Sequence, residues 1–379
     1  MIGEVRIENY KSIQKLKLEL GRVTVLIGEN GCGKSNILEA IALASAAAND
    51  KLDNEFLAAR GIRVTEPQLM RSAFEKENLD KDISIEIRGN NDTIKITFIL
   101  NNDNTPYARW INHFYYGVSE NERNLEKAYK QLAAWEYNSF LYSRNEHYQS
   151  IRKTNIKTLK IQQFIIYSPE NLALRTFEKE GQIQPLGIKG EGLFKLLKVL
   201  NSDNQEQLNE IKKKLQLIDW FQDFEAPPNL SSIQNSLQIK DRYLDPDLAY
   251  FDQRSSNEGF LFLLFYFALF ISDLTPKFFA IDNIDASLNP KLCRRLMKEL
   301  VELARKHDKQ VIFTTHNPAV LDGLDLDDDE QRLFAIYRSQ LGHTKAIRIL
   351  KPKPLEGQEP VKLSEAFLRG YIGGLPENF

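Results

Sequence analysis

Apolar and polar positions alternate through much of the first hundred residues, a pattern that predicts β-strands. Residues 4–9 alternate charged and apolar side chains as an edge strand does, and residues 15–20 form a second predicted strand. Residues 83–88 and 93–100 alternate strongly around a connection at 89–92 made of Gly, Asn and Asp, the composition of a hairpin turn. The N-terminal part of the chain is therefore predicted to be rich in paired strands.

Beyond residue 160 short apolar runs alternate with helical patterns. Residues 278–281 and 310–314 are predicted buried strands, each followed by a helix, at 290–306 and from Pro318. This alternation favours an α/β fold with a mixed, largely parallel sheet covered by helices on both faces. The remaining predicted elements are a strand at 161–167, helices at 190–201 and 205–217, and final strands at 332–337 and 344–350.

The most apolar stretch of the chain is residues 260–271, bounded by Glu258 and Asp273. A helix that spans a membrane needs about 20 residues, which is more than the distance between these two charges. We therefore interpret this stretch as a buried core helix and expect no contact with a membrane.

Composition divides the chain into four segments. Residues 1–100 form a predicted N-terminal lobe, and residues 101–160, rich in Tyr, Trp, Asn and Lys, a mostly helical insertion. Residues 161–350 form a C-terminal lobe, and residues 351–379 a tail with several Pro and Gly. A chain of 379 residues can hold two domains, or one domain with a large insertion.

Net charge and cysteine content indicate the binding partners and the cellular compartment to be expected. The net charge of −2 gives no overall attraction to nucleic acid or to anionic lipid, so any basic surface must be local. The two cysteines, Cys32 and Cys293, do not make a disulfide framework. Charged residues interrupt the N-terminal segment, which does not resemble a signal peptide. We expect a reduced, cytoplasmic setting.

Residues 28–35 fit the phosphate-binding pattern G-x-x-x-x-G-K-[ST]. Its glycines let backbone N–H groups turn towards phosphate, Lys34 reaches the β and γ oxygens, and Ser35 offers a hydroxyl to Mg²⁺. An apolar strand at 23–27 precedes the loop and a helix at 36–48 follows it, whose positive dipole end faces the phosphates. The predicted nucleotide-binding residues of this loop are Gly28, Glu29, Asn30, Gly31, Cys32, Gly33, Lys34, Ser35 and Asn36.

A carboxylate that could bind a metal follows the apolar strand at 278–281. Asp282 comes at the carboxyl end of this strand, where a parallel sheet would bring it beside the phosphate loop. We therefore predict that Asp282 and Ser35 hold Mg²⁺ together.

Three further segments make the chain resemble a known family. Residues 283–290 are similar to the D-loop of ABC-type ATPases. The sequence FTTHNP at 313–318 matches the switch histidine of that superfamily, which contacts the γ-phosphate, and the resemblance implies this contact for His316. The opening IENYKSI at 7–13 is similar to the first strand and turn of the RecF/OLD/SMC branch of that superfamily (SMC, structural maintenance of chromosomes). The resemblance covers about residues 1–100 and 160–350, and it implies an ATP-binding head.

In such heads two copies enclose two ATP molecules, with the phosphate loop of one facing the signature loop of the other. The resemblance identifies residues 254–259 as the signature candidate. Asn257 stands where the family has serine, and Glu258 and Gly259 open the apolar helix. An amide can still donate a hydrogen bond to a phosphate oxygen. The alternative is an ordinary helix cap.

One departure from the family pattern concerns hydrolysis. Asn283 stands where the family usually has a glutamate that orients or deprotonates the attacking water. An amide can position a water molecule but cannot accept its proton. Two hypotheses remain open: another carboxylate, such as Asp285, supports slow hydrolysis, or the head binds ATP and pairs with little turnover.

The resemblance also implies a glutamine that links nucleotide and Mg²⁺. Gln68 is the best candidate by position, with an exposed loop glutamine as the alternative. Lys11, together with Asn9 and Tyr10, is a candidate for the adenine side of the site.

The insertion holds two candidate interaction surfaces. Basic residues interleaved with aromatic ones could grip phosphates and stack bases, as in nucleic-acid binding; they are Arg144, Arg152, Lys153, Lys157 and Lys160 with Tyr142, His147 and Tyr148. Aromatic residues that suit a protein interface are Trp110, Tyr115, Tyr116 and Trp135.

By analogy with stand-alone heads of this kind, we expect a homodimer or a higher even oligomer that binds ATP and Mg²⁺. Its expected role is to gate a separately encoded effector, such as a nuclease or a toxin, in anti-phage defence. The alternatives are a RecF-like DNA-repair ATPase and an ATP-gated scaffold without meaningful catalysis.

Overall fold

A computed structural model describes residues 1–90, 94–105, 108–117, 153–176, 184–226, 236–248, 250–351 and 361–373. In chain order the strands are β1 Ile2–Tyr10, β2 Ile13–Glu19, β3 Val23–Ile27, β4 Ile83–Gly89, β5 Lys95–Asn101, β6 Ile111–Gly117, β7 Ile166–Tyr167, β8 Phe221–Glu225, β9 Gln238–Asp241, β10 Tyr250–Asp252, β11 Phe278–Ile281, β12 Gln310–Thr315, β13 Gln331–Arg338 and β14 Thr344–Ile349. The helices are α1 Lys34–Ala48, α2 Asn54–Ala59, α3 Pro67–Met70, α4 Asn171–Thr176, α5 Leu193–Asp203, α6 Gln205–Leu215, α7 Glu258–Ile271, α8 Pro290–Lys306, α9 Pro318–Leu321 and α10 Leu363–Leu368. Residues 153–159 are also helical.

A six-stranded sheet in the order β14-β13-β3-β12-β11-β7 carries the C-terminal lobe. All of its neighbouring pairs are parallel except β13 with β14. Every residue of β3, β11 and β12 is buried, as strands covered on both faces require. The α/β class and the largely parallel sheet predicted from sequence are confirmed, and the carboxyl ends of β3, β12 and β11 meet at one edge.

A second, five-stranded sheet is antiparallel, in the order β2-β1-β4-β5-β6. The prediction that β1 is an edge strand is wrong, because β1 lies between β2 and β4. Its charged side chains are accommodated by cross-strand ion pairs: Lys17 on β2 lies 2.9 Å from Glu4, and Arg6 lies 3.7 Å from Glu86 on β4. An internal strand can therefore carry charges on its outer face.

Three parts of the chain differ from the sequence prediction in their secondary structure. Strand β6 falls within the segment predicted to be a mostly helical insertion, because its backbone completes the edge left free by β5. Only Ile166–Tyr167 of the predicted strand at 161–167 pairs with β11, and residues 161–163 form a 3₁₀ turn. Strands β8, β9 and β10, which lie between α6 and α7, form a small antiparallel sheet that was not predicted from the sequence.

Helix α7 is the centre of one hydrophobic core. All of its residues from Phe260 to Ile271 are buried. Phe270 packs edge-on against Phe279 of β11 at 5.2 Å, and Phe265 against Tyr167 of β7 at 5.7 Å between ring centroids. The prediction of a buried core helix is confirmed. Within the described ranges, no helix is long and apolar enough to cross a membrane.

The antiparallel sheet and α1 enclose a second core on the other side of the parallel sheet. The two sheets are joined by the buried side chain of Gln310 at the start of β12. Its Nε2 donates to the carbonyl oxygens of Ile2 (2.7 Å) and Gly21 (2.9 Å), and its Oε1 accepts from the N–H of Ile2 (2.9 Å). One amide thus satisfies three backbone groups and fixes β1 against the sheet that carries the site.

Replacing Gln310 with Leu should lower the free energy of unfolding by about 2–4 kcal/mol, because three buried backbone groups lose their partner. Urea denaturation followed by circular dichroism measures this change. The same substitution at the exposed Gln340 is the matched control and should alter stability by less than about 0.5 kcal/mol. Equal effects of the two substitutions would contradict a joining role for Gln310.

Candidate nucleotide-binding site

The phosphate loop connects β3 to α1 at the edge where the strands end. Gly33 has φ 109°, and a Cβ there would lie 2.1 Å from the Thr344 hydroxyl oxygen. Gly28 has φ 154°, and a Cβ would lie 2.2 Å from the carbonyl oxygen of Ile336. Glycine is therefore required at both positions. Helix α1 begins at Lys34 without a side-chain cap, which leaves its first N–H groups available to an anion.

Lys34 is buried, with 6% of its surface exposed. Its ammonium donates to the carbonyl oxygens of Gly28 (2.8 Å) and Glu29 (2.9 Å) and has no ion pair with a described carboxylate. Burial lowers the pKa of Lys34, although the nearby Cys32 and Asp282 favour the charged form. A buried cation held only by neutral groups is strongly stabilised by an anion, so the loop fits a nucleotide phosphate chain.

Ser35 and Asp282 meet as the sequence predicted. The Ser35 hydroxyl donates to one carboxylate oxygen of Asp282 at 3.1 Å, and the Thr314 hydroxyl donates to the other. A hydroxyl beside a carboxylate is a suitable donor set for Mg²⁺, which would be held by Ser35 and Asp282. No cluster of three or more His, Cys, Asp or Glu able to hold a metal occurs in the described residues. Mg²⁺ usually keeps several waters and binds substrate phosphates beside one or two protein ligands, so here it would neutralise phosphate charge.

A directed chain of hydrogen bonds supports the loop from outside. Asn36 donates to the Ser12 hydroxyl (2.6 Å), the Ser12 and Thr344 hydroxyls are 2.7 Å apart, and Thr344 donates to the carbonyl oxygen of Cys32 (2.8 Å). Because Thr344 uses its proton on Cys32, Ser12 must donate to Thr344. The role of Ser12 was not predicted from the sequence, although Ser12 lies in the family-like segment at 7–13, and no sequence pattern pointed to Thr344.

The turn after Asp282 holds the two residues considered for hydrolysis. Asn283 is exposed in a left-handed conformation (φ 59°), and its N–H donates to the Thr314 hydroxyl at 2.9 Å. Asp285 accepts a hydrogen bond from the Thr315 hydroxyl at 2.5 Å. The consecutive threonines at the end of β12 therefore fix this turn, a role that sequence analysis did not assign to them.

His316 follows β12 directly and lies close to the loop. Its ring hydrogen bonds to the backbone of Gly28, while burial and the neighbouring Lys34 charge lower the pKa of His316. The imidazole is therefore mainly neutral at pH 7. This position agrees with the predicted contact to a γ-phosphate, whose negative charge would favour the imidazolium.

The signature candidate begins α7. The side-chain oxygen of Asn257 accepts from the N–H of Phe260 at 2.9 Å, so Asn257 caps the helix, and its amide group is exposed. A Cβ at Gly259 would lie 3.3 Å from the carbonyl oxygen of Ser287 in the turn that follows β11. Among the described residues, no hydrogen bond joins Asn257, Glu258 or Gly259 to the phosphate loop of the same chain.

The turn before the signature is braced from α4. Arg175 donates to the carbonyl oxygens of Arg254 and, at 3.5 Å, of Gln253. The Asp252 carboxylate accepts from the N–H of Arg254 at 2.9 Å. These contacts hold the exposed residues of the turn in one conformation, and sequence analysis did not identify Arg175 or Asp252.

The candidates for the adenine side and for the linking glutamine have different outcomes. Asn9 and Tyr10 are buried and bonded within the protein, so they do not line an open site. Lys11 forms an ion pair with Glu39, a buried carboxylate of α1 that sequence analysis missed. Gln68 is exposed on the short helix α3, and no described contact joins it to Ser35 or Asp282.

The predicted interaction surfaces are only partly described. Lys153 and Lys157 are exposed, but Lys160 pairs with Asp308 at 2.6 Å. Trp110 is buried under the guanidinium of Arg71, so it belongs to the core and the interface prediction for it is wrong. The residues that lie outside the described ranges are Trp135, Tyr142, Arg144, His147, Tyr148 and Arg152. The side chains of Tyr115 and Tyr116 in β6 are also outside them.

The fold and the loop together define a class, the ATP-binding heads with a phosphate loop at the edge of a parallel sheet. The chain belongs to the family described as AAA domain, putative AbiEii toxin, Type IV TA system, whose model matches residues 23–322. The chain thus carries an AAA-type ATPase domain, in line with the ATP-binding head that the sequence resemblance implied, and ATPases of this family use a nucleotide and usually Mg²⁺.

Solved structures show the same fold. An SMC head bound to the C-winged helix domain of ScpA matches with a TM-score of 0.57 and 15% identity, covering 92% of this chain and 98% of that one. The SMC head with an extended coiled coil from Pyrococcus furiosus, bound to the C-terminal domain of ScpA, matches with a TM-score of 0.54 and 12% identity, covering 92% and 96%.

Sequence similarity to curated proteins is local. Over 55 residues the chain is 38% identical to the DNA replication and repair protein RecF of Bacillus thuringiensis (strain Al Hakam), and equally to that of Bacillus cereus (strain B4264). This match spans 14% of this chain and 15% of the RecF proteins.

Replacing Lys34 with Met should abolish the rise in melting temperature that ATP and Mg²⁺ produce, because the buried cation that attracts the phosphates is lost. The nucleotide-free variant should be at least as stable as the wild type, since it no longer buries an ammonium. Differential scanning fluorimetry with and without ATP measures both effects. Lys15→Met, at a lysine with 78% of its side chain exposed, is the control and should keep the full shift.

ATP should raise the pKa of His316 from its lowered value, and the affinity for ATP should therefore increase as pH falls between the two pKa values. NMR titration of the imidazole, with and without ATP, follows the pKa directly. Binding isotherms of wild type and His316→Asn separate this effect from the titration of ATP itself, which is common to both. An unchanged imidazole pKa would place His316 out of reach of the γ-phosphate.

Proposed function

We propose that two copies of this chain pair head to head around two ATP molecules, each ATP lying between the phosphate loop of one copy and the signature turn of the other. The observation that carries this proposal is the separation of the two half-sites: the described contacts of residues 254–259 are with Asp252 and Gln253 just before them, with their own helix, with α4 and with the turn after β11. Within the described part of the chain, the signature turn is thus left with an exposed surface and no hydrogen bond to the phosphate loop.

The surface offered to the second copy is continuous. The helix-capping amide of Asn257 is exposed, and Gly259 lies against the backbone of Ser287, itself exposed in a left-handed conformation with φ 60°. A helix N-terminus next to an exposed turn favours an anion held by a facing molecule. ATP bound at Lys34 of one copy supplies such an anion.

Hydrolysis in this arrangement is proposed to be slow. Asn283 cannot accept a proton, and the Asp285 carboxylate is already bonded to Thr315. Slow hydrolysis lengthens the lifetime of the paired state. This favours a protein that signals through its paired state over one that performs mechanical work in repeated cycles. An ATP-gated scaffold with negligible turnover is the second candidate, and the same two residues favour it.

The proposed role of the paired state is to gate a separately encoded effector, such as a nuclease or a toxin, in the cytoplasm during anti-phage defence. The family description names the AAA domain itself a putative toxin of a type IV TA system, which supports a place in a toxin–antitoxin system, whereas the separately encoded effector is proposed by analogy with stand-alone heads. The local RecF similarity supports DNA repair only weakly, because it covers 14% of the chain. Turnover stimulated by DNA would favour a RecF-like function, with Lys153 and Lys157 as available cations.

Subunit complementation tests the composite site. Lys34→Met removes the phosphate half and Gly259→Asp places a negative charge at the signature half, where an acidic residue in the first helical turn is compatible with α7. Each variant alone should remain monomeric with ATP and Mg²⁺. Their mixture should form a heterodimer that retains about one ATP per pair, because one intact site remains.

Sedimentation velocity with fluorescent ATP distinguishes these states. Wild type should pair with ATP, and pairing should disappear when ATP is omitted. If the mixture stays monomeric while wild type pairs, or if Gly259→Asp pairs as well as wild type, the head-to-head arrangement is contradicted.

Replacing Asn283 with Glu should raise the hydrolysis rate by about 100-fold, because a carboxylate can act as the general base. Asn283→Gln is the matched control, equal in length and equally affected by the left-handed backbone at this position, but without a base. A phosphate-release assay at saturating ATP compares the three proteins. Equal rates for the Glu and Gln variants would mean that another residue already supplies the base.

A further inference from the structure

The small sheet β10-β9-β8, which lies between α6 and the signature turn, carries an unbalanced negative charge. Residues 219–252 contain seven acidic and two basic side chains, a net charge of −5, whereas the whole chain has −2. Within the described residues, ion pairs involve only Asp223 of these seven, which lies 2.9 Å from Lys212. The other six carboxylates are therefore left to attract cations from outside the described chain.

The connection between β9 and β10 exposes large apolar side chains. Tyr243 is 68% and Leu248 74% exposed, and Leu244 and Tyr250 are exposed as well. Single apolar residues on a surface are ordinary, but four of them within residues 243–250 form a group. An apolar group rimmed by charged residues is typical of a protein interface.

Hydrogen bonds hold this connection in one conformation. The backbone N–H of Arg242 donates to the carbonyl oxygen of Trp220 at 3.0 Å, and its guanidinium donates to that of Phe221 at 2.8 Å. The Tyr243 hydroxyl donates to the Asp219 carboxylate at 2.7 Å. An apolar surface that is ordered before binding loses little conformational entropy when a partner associates with it.

We propose that the acidic sheet (strands β8, β9 and β10 with the β9–β10 connection) is the docking surface for a protein partner that presents basic side chains around an apolar centre. A net charge of −5 repels nucleic acid and anionic lipid, so the complementary charges belong to Lys and Arg of a protein. Tyr243 and Leu248 supply the apolar contact. This inference rests on the function proposed above and gives the effector a place to bind.

The acidic sheet leads directly into the signature turn. Strand β10 ends at Asp252, whose carboxylate accepts from the N–H groups of Arg254 (2.9 Å) and Ser255 (3.2 Å). The buried side chain of Gln253 accepts from the N–H of Leu237, just before β9, at 2.8 Å. A partner on the sheet thus binds the element that ends in the signature turn, which allows docking and pairing to influence each other reciprocally.

Model peptides of defined composition test the docking surface. The probe is a fluorescein-labelled amphipathic peptide of Lys and Leu, and its two counterparts carry Glu in place of Lys or Ser in place of Leu. Wild type should bind the Lys/Leu peptide about 10-fold more tightly than either counterpart, with an affinity that falls as salt is added. Fluorescence anisotropy measures the affinities. Equal binding of the Glu/Leu peptide would overturn the proposal.

Substitutions locate the binding. Tyr243→Ser combined with Leu248→Ser should weaken binding of the Lys/Leu peptide about 10-fold. The matched control combines Leu368→Ser with Tyr371→Ser, at side chains 64% and 69% exposed outside the acidic sheet, and should keep the wild-type affinity. Equal effects of the two double substitutions would overturn the docking role.

A charge substitution tests the carboxylates separately. Asp247→Asn should weaken binding about 3-fold and reduce its salt dependence, because an exposed carboxylate of the sheet is lost. Asp329→Asn, at another fully exposed aspartate, is the control and should leave both unchanged. The same loss in both variants would contradict a local role for the charge of the sheet.

Pairing driven by ATP, followed by sedimentation velocity, separates this inference from the head-to-head arrangement. The Tyr243→Ser, Leu248→Ser double variant should pair with ATP as wild type does. Loss of pairing in this variant would assign the surface to the second copy and overturn the docking of a different protein. If wild type binds the peptide but does not pair with ATP, the pairing proposal fails while the docking surface stands.

Discussion

The buried ammonium of Lys34 is the constraint on which the site depends. Its partners are carbonyl oxygens of the loop and the Cys32 sulfur, burial lowers its pKa, and no carboxylate among the described residues forms an ion pair with it. The loop that holds Lys34 requires glycine at two positions, Gly28 and Gly33, where a Cβ would lie 2.2 Å and 2.1 Å from neighbouring atoms. A bound phosphate chain compensates the positive charge of Lys34. The binding free energy gained in this way can shift the protein from its unpaired to its proposed paired state.

The two carboxylates after β11 show how the loop and sheet cooperate. Asp282 is held between the hydroxyls of Ser35 and Thr314, and Asp285 by the hydroxyl of Thr315. Because Thr314 and Thr315 end β12, which lies between β3 and β11, the central strand fixes groups contributed by its neighbours. Hydroxyl donors of this kind orient a carboxylate without neutralising it, so its charge stays available to a cation.

The same turn joins the phosphate site to the surface proposed for pairing. It begins at Asp282, next to the phosphate loop, and reaches Ser287, whose carbonyl oxygen lies against Gly259. A displacement of Asp282 at the phosphate site can therefore be transmitted to the signature turn through the few residues between Asp282 and Ser287. Helix α7 packs behind this turn and resists displacement, since every residue from Phe260 to Ile271 is buried.

Sequence alone determined the α/β class, the buried helix α7 and the phosphate loop, because each is encoded by local spacing or by a continuous apolar run. It could not give the internal position of β1, the strand β6 or the burial of Trp110, since these depend on which backbone edges and surfaces meet in the folded chain. The hydroxyl chain from Asn36 to Thr344 joins segments that lie about 300 residues apart in the sequence. The exposed Tyr243 and Leu248 belong to a connection without a hydrophobic pattern. Only tertiary structure could decide them, because a hydrogen bond or a surface is specified by distance in space, whereas the sequence records neighbours along the chain.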